Sequence, residues 1–169
     1  LFHRDRDSTC RALEALRSAL AEGHSSIGDE APQKSITGLQ LTHSGRWSRP
    51  NRDGAAPRIA FEHPILDSRV GATGEQILSD SDLEAIAERY SEVAQCALET
   101  GFDFVDLKAC HGYLIHELLS ARSRPGRYGG DIEGRSLFLR ELIAQVRSAA
   151  PGLGIGVRLS VTDVVPFRM

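Results

Sequence analysis

The chain has 169 residues, a formal charge of −3 and 41% hydrophobic residues, the size and balance of one globular domain. Net negative charge gives no electrostatic reason to expect nucleic acid or an anionic membrane surface as a partner, and no apolar run approaches the roughly 20 residues of a membrane span. Three dispersed cysteines, Cys10, Cys96 and Cys110, read as free thiols in a reducing cytoplasm.

In chain order, a first helix is expected from about Asp7 to Glu22. Asp7 or Ser8 would cap it, Leu13, Leu16 and Leu20 would form its apolar stripe with Cys10 buried on the same side, and Gly23 would end it. Ile36 to His43 reads as a strand that ends in polar groups, Gln40, His43 and, past Gly45, Arg46. The Pro-, Gly- and Arg-rich stretch from Trp47 to Ser79 has no period and reads as an excursion with a short hairpin. A second helix follows, with a capping-box pattern at Ser79 and Asp82 or Ser81 and Glu84 and an apolar face running from Leu83 to Leu98. Cys96 lies off the middle of that face.

Phe102 to Leu107 has the aromatic and β-branched character of a buried strand, and Lys108, His111 and Tyr113 gather where it turns into a loop. A short helical turn is expected through Ile115 to Leu119, then a loop from Arg122 to Arg135 rich in glycine and arginine. A third helix places Leu139, Leu142, Ile143 and Val146 inward, and Ile155 to Val161 is the last strand. Helix–strand alternation implies parallel strands joined by crossover helices, and three such strands are better covered as part of a (β/α)8 barrel than as a complete doubly wound sheet. A full barrel runs to ~250 residues, so residues 1–169 are expected to form about three βα units of one TIM-barrel domain, an internal portion of a longer protein.

The strand ends of such a barrel surround one mouth, so Gln40 and His43, Lys108 and His111, and Arg158 and Ser160 would converge. Gly38-Leu39-Gln40-Leu41-Thr42-His43-Ser44-Gly45-Arg46, Cys110-His111-Gly112-Tyr113-Leu114, Tyr128-Gly129-Gly130 and Gly156-Val157-Arg158-Leu159-Ser160 resemble, in that order, the motifs of the old yellow enzyme family. That resemblance implies a barrel with FMN at its mouth, NADH or NADPH as reductant, and reduction of activated C=C bonds such as those of enones. It implies that Gln40 and Arg158 bind the flavin, that Lys108 and His111 bind the substrate carbonyl, and that Tyr113 is the catalytic proton donor. Lys108 departs from the family pattern, which places His there.

Plainer readings stand beside these. Gln40 can cap a strand end, Arg158 can be a salt-bridged barrel residue, Tyr113 an aromatic lid, and His111 a satisfied loop histidine. Lys108 can pair with Asp106 or Asp103. His43 and Arg46 are expected to brace the loop over the site. Arg122, Arg124, Arg127 and Arg135 can attract a phosphorylated cofactor or CoA or simply be solvated, and Cys110 can be redox-active beside a flavin or, more commonly, a small buried thiol. His111 and His116 lack the i, i+4 spacing of a helical zinc motif, so no metal is expected. A non-catalytic barrel relative that binds a small anion, or a truncated chain without independent activity, is the alternative to the enzyme. A small-molecule substrate is the expected partner, and homo-oligomerisation is left open for the longer protein.

Overall fold

The computed structural model describes residues 5–28, 35–50 and 54–162. Its elements in chain order are α1 (Arg6–Ser25), β1 (Gly38–Leu41), α2 (Pro64–Val70), α3 (Asp80–Glu99), β2 (Phe104–Ala109), α4 (Leu114–Ser120), α5 (Ile132–Ala149) and β3 (Gly154–Leu159). The strands form one parallel sheet in the order β1-β2-β3, with Gln40 opposite Asp106, Asp106 opposite Gly156, and Lys108 opposite Arg158. This is the expected arc of a (β/α) barrel: β1 and β2 are each followed by helices that return the chain to a parallel neighbour.

Alternation along β2 separates the two faces of the sheet. Val105, Leu107 and Ala109 are buried against the helices, together with Leu41 of β1, while Phe104, Asp106 and Lys108 occupy the other face. The helix-side core is completed by Leu83, Ala87, Tyr90, Val93 and Ala94 of α3 and by Phe138, Leu142 and Val146 of α5. On the opposite face the Phe104 ring lies over Gly38, its partner on β1, and Gly154 is its partner on β3. A methyl group at Gly38 would overlap that ring, and one at Gly154 would come within 2.9 Å of Phe104 Cβ.

The helix starts follow from local chemistry. Ser79 accepts from Asp82 N–H at 3.1 Å while the Asp82 carboxylate accepts from Ser79 N–H at 2.9 Å, the reciprocal pair of a capping box. The hydrogen bonds from Ser79 hold the Asp82 carboxyl below its ordinary range. At α1 the cap is Asp5, whose carboxylate accepts from Ser8 N–H at 2.9 Å. The helix therefore starts before the Asp7 expected from the sequence, and it runs through Gly23 rather than ending there.

Three further expectations change. Of the α1 stripe only Leu13 is buried; Leu16 and Leu20 are each 44% exposed, because α1 packs on α3 along a narrow apolar seam. Cys10 and Cys96 are not free thiols: the same packing joins them in a disulfide across 86 residues, with Cys96 fully buried and Cys10 half-buried. Cys110 is free and buried, as expected. In the excursion after β1, Ala56 N–H donates to Ser48 O at 2.9 Å across residues 51–53, which lie outside the described residues. Beyond it the chain forms α2, a short 3-10 turn at Gly74–Gln76 and a parallel bridge between Ile59 and Ile77.

Candidate active site

The face of the sheet opposite the helices carries a polar row near the carboxyl ends of all three strands. Asp106 Oδ2 on the central strand accepts from Gln40 Nε2 at 3.0 Å on one side and from Arg158 NH2 at 2.7 Å on the other. Gly156, in register with Asp106, leaves backbone as the floor between them. A Cβ there would meet nothing nearer than Val105 O at 3.7 Å, so packing within the chain does not require the missing side chain. Both outer groups keep donor capacity: the Gln40 carboxamide is exposed and the Arg158 side chain is 55% exposed.

One step toward the strand ends, Lys108 sits opposite Arg158 and extends over Tyr113, with Nζ 3.8 Å from the ring centroid. Tyr113 reaches that position through a tight reversal. His111 and Gly112 both adopt left-handed backbone, with φ of 62° and 68°, and Gly112 N–H donates to His116 Nδ1 at 2.8 Å. A left-handed histidine is uncommon, and such conformations recur at functional turns. The turn delivers Tyr113 as the residue that begins α4, half-buried beneath the ammonium, and leaves the His111 side chain exposed.

This turn is braced from behind. Arg46 is completely buried, with Nε donating to Glu117 Oε1 at 2.6 Å, NH2 donating to Phe61 O at 2.9 Å and NH1 paired with Asp67. Glu117 belongs to α4, so the ion pair locks the loop after β1 to the helix that Tyr113 opens. Leu114 N–H donates to His43 O at 3.2 Å, and Gly45 lies so close that a Cβ would sit 2.9 Å from Leu114 N. His43 and Arg46 thus have the bracing role expected of them. Burial raises the Tyr90 phenol pKa, and a hydrogen bond with the backbone at His43 opposes part of that rise.

The arginine-rich loop is mostly committed to internal bonds. Arg124 bonds Ala60 O at 2.8 Å and Asp80 Oδ1 at 2.9 Å, Arg127 pairs with Glu84 and Glu141, and Arg135 donates to Leu119 O. Tyr128 donates to Glu141 Oε2 at 2.8 Å; burial and that carboxylate push its phenol up to about 12. These contacts anchor the loop on α3 and α5, and only Arg122 is without such a bond among the described residues. Two clefts of about 520 and 540 Å³ lie elsewhere, one between the post-β1 loop and α3, the other between α4 and the end of β3. Neither is lined by Gln40, Lys108 or Tyr113.

The structure therefore brings Gln40, Arg158, Lys108 and Tyr113 onto one face and places His111 at its rim. It adds two residues that the sequence did not single out as functional: Asp106, the common partner of Gln40 and Arg158, and Glu117, the anchor of Arg46. Period-two alternation was a signal for Asp106, since it must share the face of Lys108. Nothing local in the sequence marks Glu117, whose partner is 71 residues away.

Parallel strands with an amide, a guanidinium, an ammonium and a phenol near their carboxyl ends form part of an α/β barrel. Residues 21–167 match the family described as NADH:flavin oxidoreductase / NADH oxidase, and the chain belongs to it, within the old yellow enzyme family. It is 36% identical over 146 residues to an NADPH dehydrogenase of Bacillus subtilis (strain 168), an alignment covering 84% of this chain and 41% of that protein. It is 33% identical over 133 residues to a putative 12-oxophytodienoate reductase 2 of Oryza sativa subsp. japonica, covering 74% of this chain and 35% of that one. Among solved structures it resembles morphinone reductase, with a TM-score of 0.57 and 27% identity over 75% of this chain and 38% of that chain. A likeness in fold alone extends to a histamine dehydrogenase from Rhizobium sp. 4-9, with a TM-score of 0.64 and 22% identity over 84% of this chain and 21% of that chain. The chain spans about a third to two fifths of the length of the curated relatives it matches.

The residues present fit the pyrimidine edge of a flavin, which offers carbonyl oxygens and ring nitrogens in one plane. Gln40 supplies an amide able to donate and accept, Arg158 supplies a flat fork of donors, and the side-chain-free floor at Gly156 admits a planar ring.

Proposed function

We propose that the protein to which these 169 residues belong is an FMN-dependent NAD(P)H oxidoreductase that reduces activated C=C bonds. The observation that carries this reading is the sheet face on which Gln40 and Arg158 share the Asp106 carboxylate and Lys108 caps Tyr113. Gln40 and Arg158 hold the flavin edge, and the fixed guanidinium favours negative charge there. Bound FMN supplies a hydride that originates from the nicotinamide.

Lys108 and His111 bind the activating carbonyl oxygen of the substrate. Two donors at that oxygen polarise the conjugated double bond and stabilise the charge that gathers on it. The Tyr113 hydroxyl holds the proton destined for the α-carbon; a phenol serves as general acid when fixed within hydrogen-bond reach of a developing enolate. Hydride and proton together saturate the bond. The Arg46–Glu117 ion pair keeps the Tyr113 turn at a fixed distance from the strand that carries Gln40.

The separating experiment is stopped-flow kinetics of the flavin-loaded intact protein. Tyr113→Phe is expected to slow reoxidation by an enone by about 10²- to 10⁴-fold, the usual weight of a positioned general acid, and to leave reduction by NADPH unchanged. Unaltered reoxidation would remove Tyr113 from the role, and a colourless intact protein would remove the flavin.

A further inference from the structure

On the reading above, the activating group of the substrate lies against Lys108, and the surroundings of that lysine narrow the substrate class. Lys108 is half-buried, and among the described residues no carboxylate lies within ion-pair distance of it. The acid on its own strand face, Asp106, is bound to Gln40 and Arg158. Asp103 lies further back, where it accepts from Thr37 N–H at 2.7 Å and from Thr37 Oγ1 at 3.2 Å. The contact recorded for Nζ is with the Tyr113 ring, at 3.8 Å from the centroid. A cation held on an aromatic face keeps its full charge and its outward N–H donors. Arg158 is the register neighbour of Lys108, so two cations and one carboxylate share this part of the sheet, an excess of one positive charge where the substrate binds.

A neutral carbonyl leaves that excess uncompensated until charge develops on its oxygen, and removing an ammonium from water without a counter-charge is costly. A carboxylate satisfies it. We propose that Lys108 selects substrates that carry a negative charge, namely unsaturated compounds with a carboxylate close to the reducible C=C bond. This inference rests on the site being the substrate site of a flavin enzyme.

The test pairs two isosteric cyclic enones in the flavin-loaded intact protein, one bearing a carboxylate and the other a carboxamide at the same carbon. The wild type is expected to favour the carboxylate by about tenfold to a hundredfold in kcat/KM, the range for a hydrogen bond to a charged group, mainly through KM. Lys108→Gln abolishes the preference and Lys108→Arg retains it. A wild type without preference, or a Lys108→Gln protein that keeps the wild-type ratio, overturns the proposal. If Lys108→Gln does not fold, the wild-type ratio and Lys108→Arg decide.

Titration calorimetry with cyclohexanecarboxylate and cyclohexanecarboxamide separates this inference from the reaction on which it rests. Carboxylate-selective binding lost in Lys108→Gln, with neither enone turned over, keeps the substrate class and removes the ene-reduction. Equal binding of acid and amide removes the substrate class, whatever the turnover.

Discussion

Asp106 sets the charge balance of the sheet face, because one of its oxygens takes both Gln40 and Arg158. Its carboxylate offsets part of the guanidinium charge beside the proposed flavin edge. Asp106→Asn removes that offset while keeping shape, so the intact flavoprotein is expected to become easier to reduce. A rise of about 30 mV corresponds to roughly 1.4 kcal/mol for a two-electron couple. Arg158→Gln is expected to move the potential the other way. Spectroelectrochemical titration reads both, and a fall in Asp106→Asn would show that Arg158 loses its place rather than gaining effective charge. The candidate residues were legible to unequal degrees. Gln40, Lys108, Tyr113 and Arg158 could be marked from their places at strand ends and in ordered motifs, whereas Asp106 read only as a neighbour able to pair with Lys108. Which of two adjacent cations claims a carboxylate is settled by strand register and side-chain direction, and neither is written in a single strand.

Helices with their own punctuation were the most legible elements. The start of α3 was set by Ser79 and Asp82, whose reciprocal bonds depend on three-residue spacing alone, and most of its buried face by a 3.6-residue period. Leu98 at the end of that period is nevertheless 36% exposed, and Cys96, off its middle, is fully buried. What the period could not show is which helix lies alongside. Leu16 and Leu20 fit the α1 stripe yet stay exposed, and Cys10 meets Cys96 only because α1 crosses α3 at that level. The bridge closes a long segment, and in the chain-entropy account the stabilisation grows with loop length. Reduction, or the double change Cys10→Ser and Cys96→Ser, is therefore expected to lower unfolding stability by about 2–4 kcal/mol. Denaturant melts with and without reductant measure it. No difference would mean that the Arg6–Glu99 pair, at 2.6 Å, and the Leu13 contact already hold α1 in place.

At the scale of the whole molecule, the three strands of the described residues present an open face, with β1 and β3 at the edges of the sheet. Val157 and Leu159 of β3 are 40% and 52% exposed, although their register partners Leu107 and Ala109 on β2 are fully buried. The helix side of the sheet is thus covered over its centre and bare at this edge, and the polar face has no opposite wall among the described residues. A flavin laid against it would meet Gln40 and Arg158 along one edge while its faces stayed wet, so those hydrogen bonds would largely exchange with water. Tight binding needs a ligand buried over most of its surface. The 169-residue chain alone is accordingly expected to bind FMN more weakly than about 1 µM, equivalent to less than about 8.2 kcal/mol. The longer protein is expected to bind it tightly enough to purify yellow. Titration of FMN fluorescence against the isolated chain decides the matter. Submicromolar quenching that is lost in Arg158→Gln would show that the three-strand face is itself a complete flavin site, and weak quenching insensitive to Arg158→Gln would show that the remaining walls supply most of the affinity.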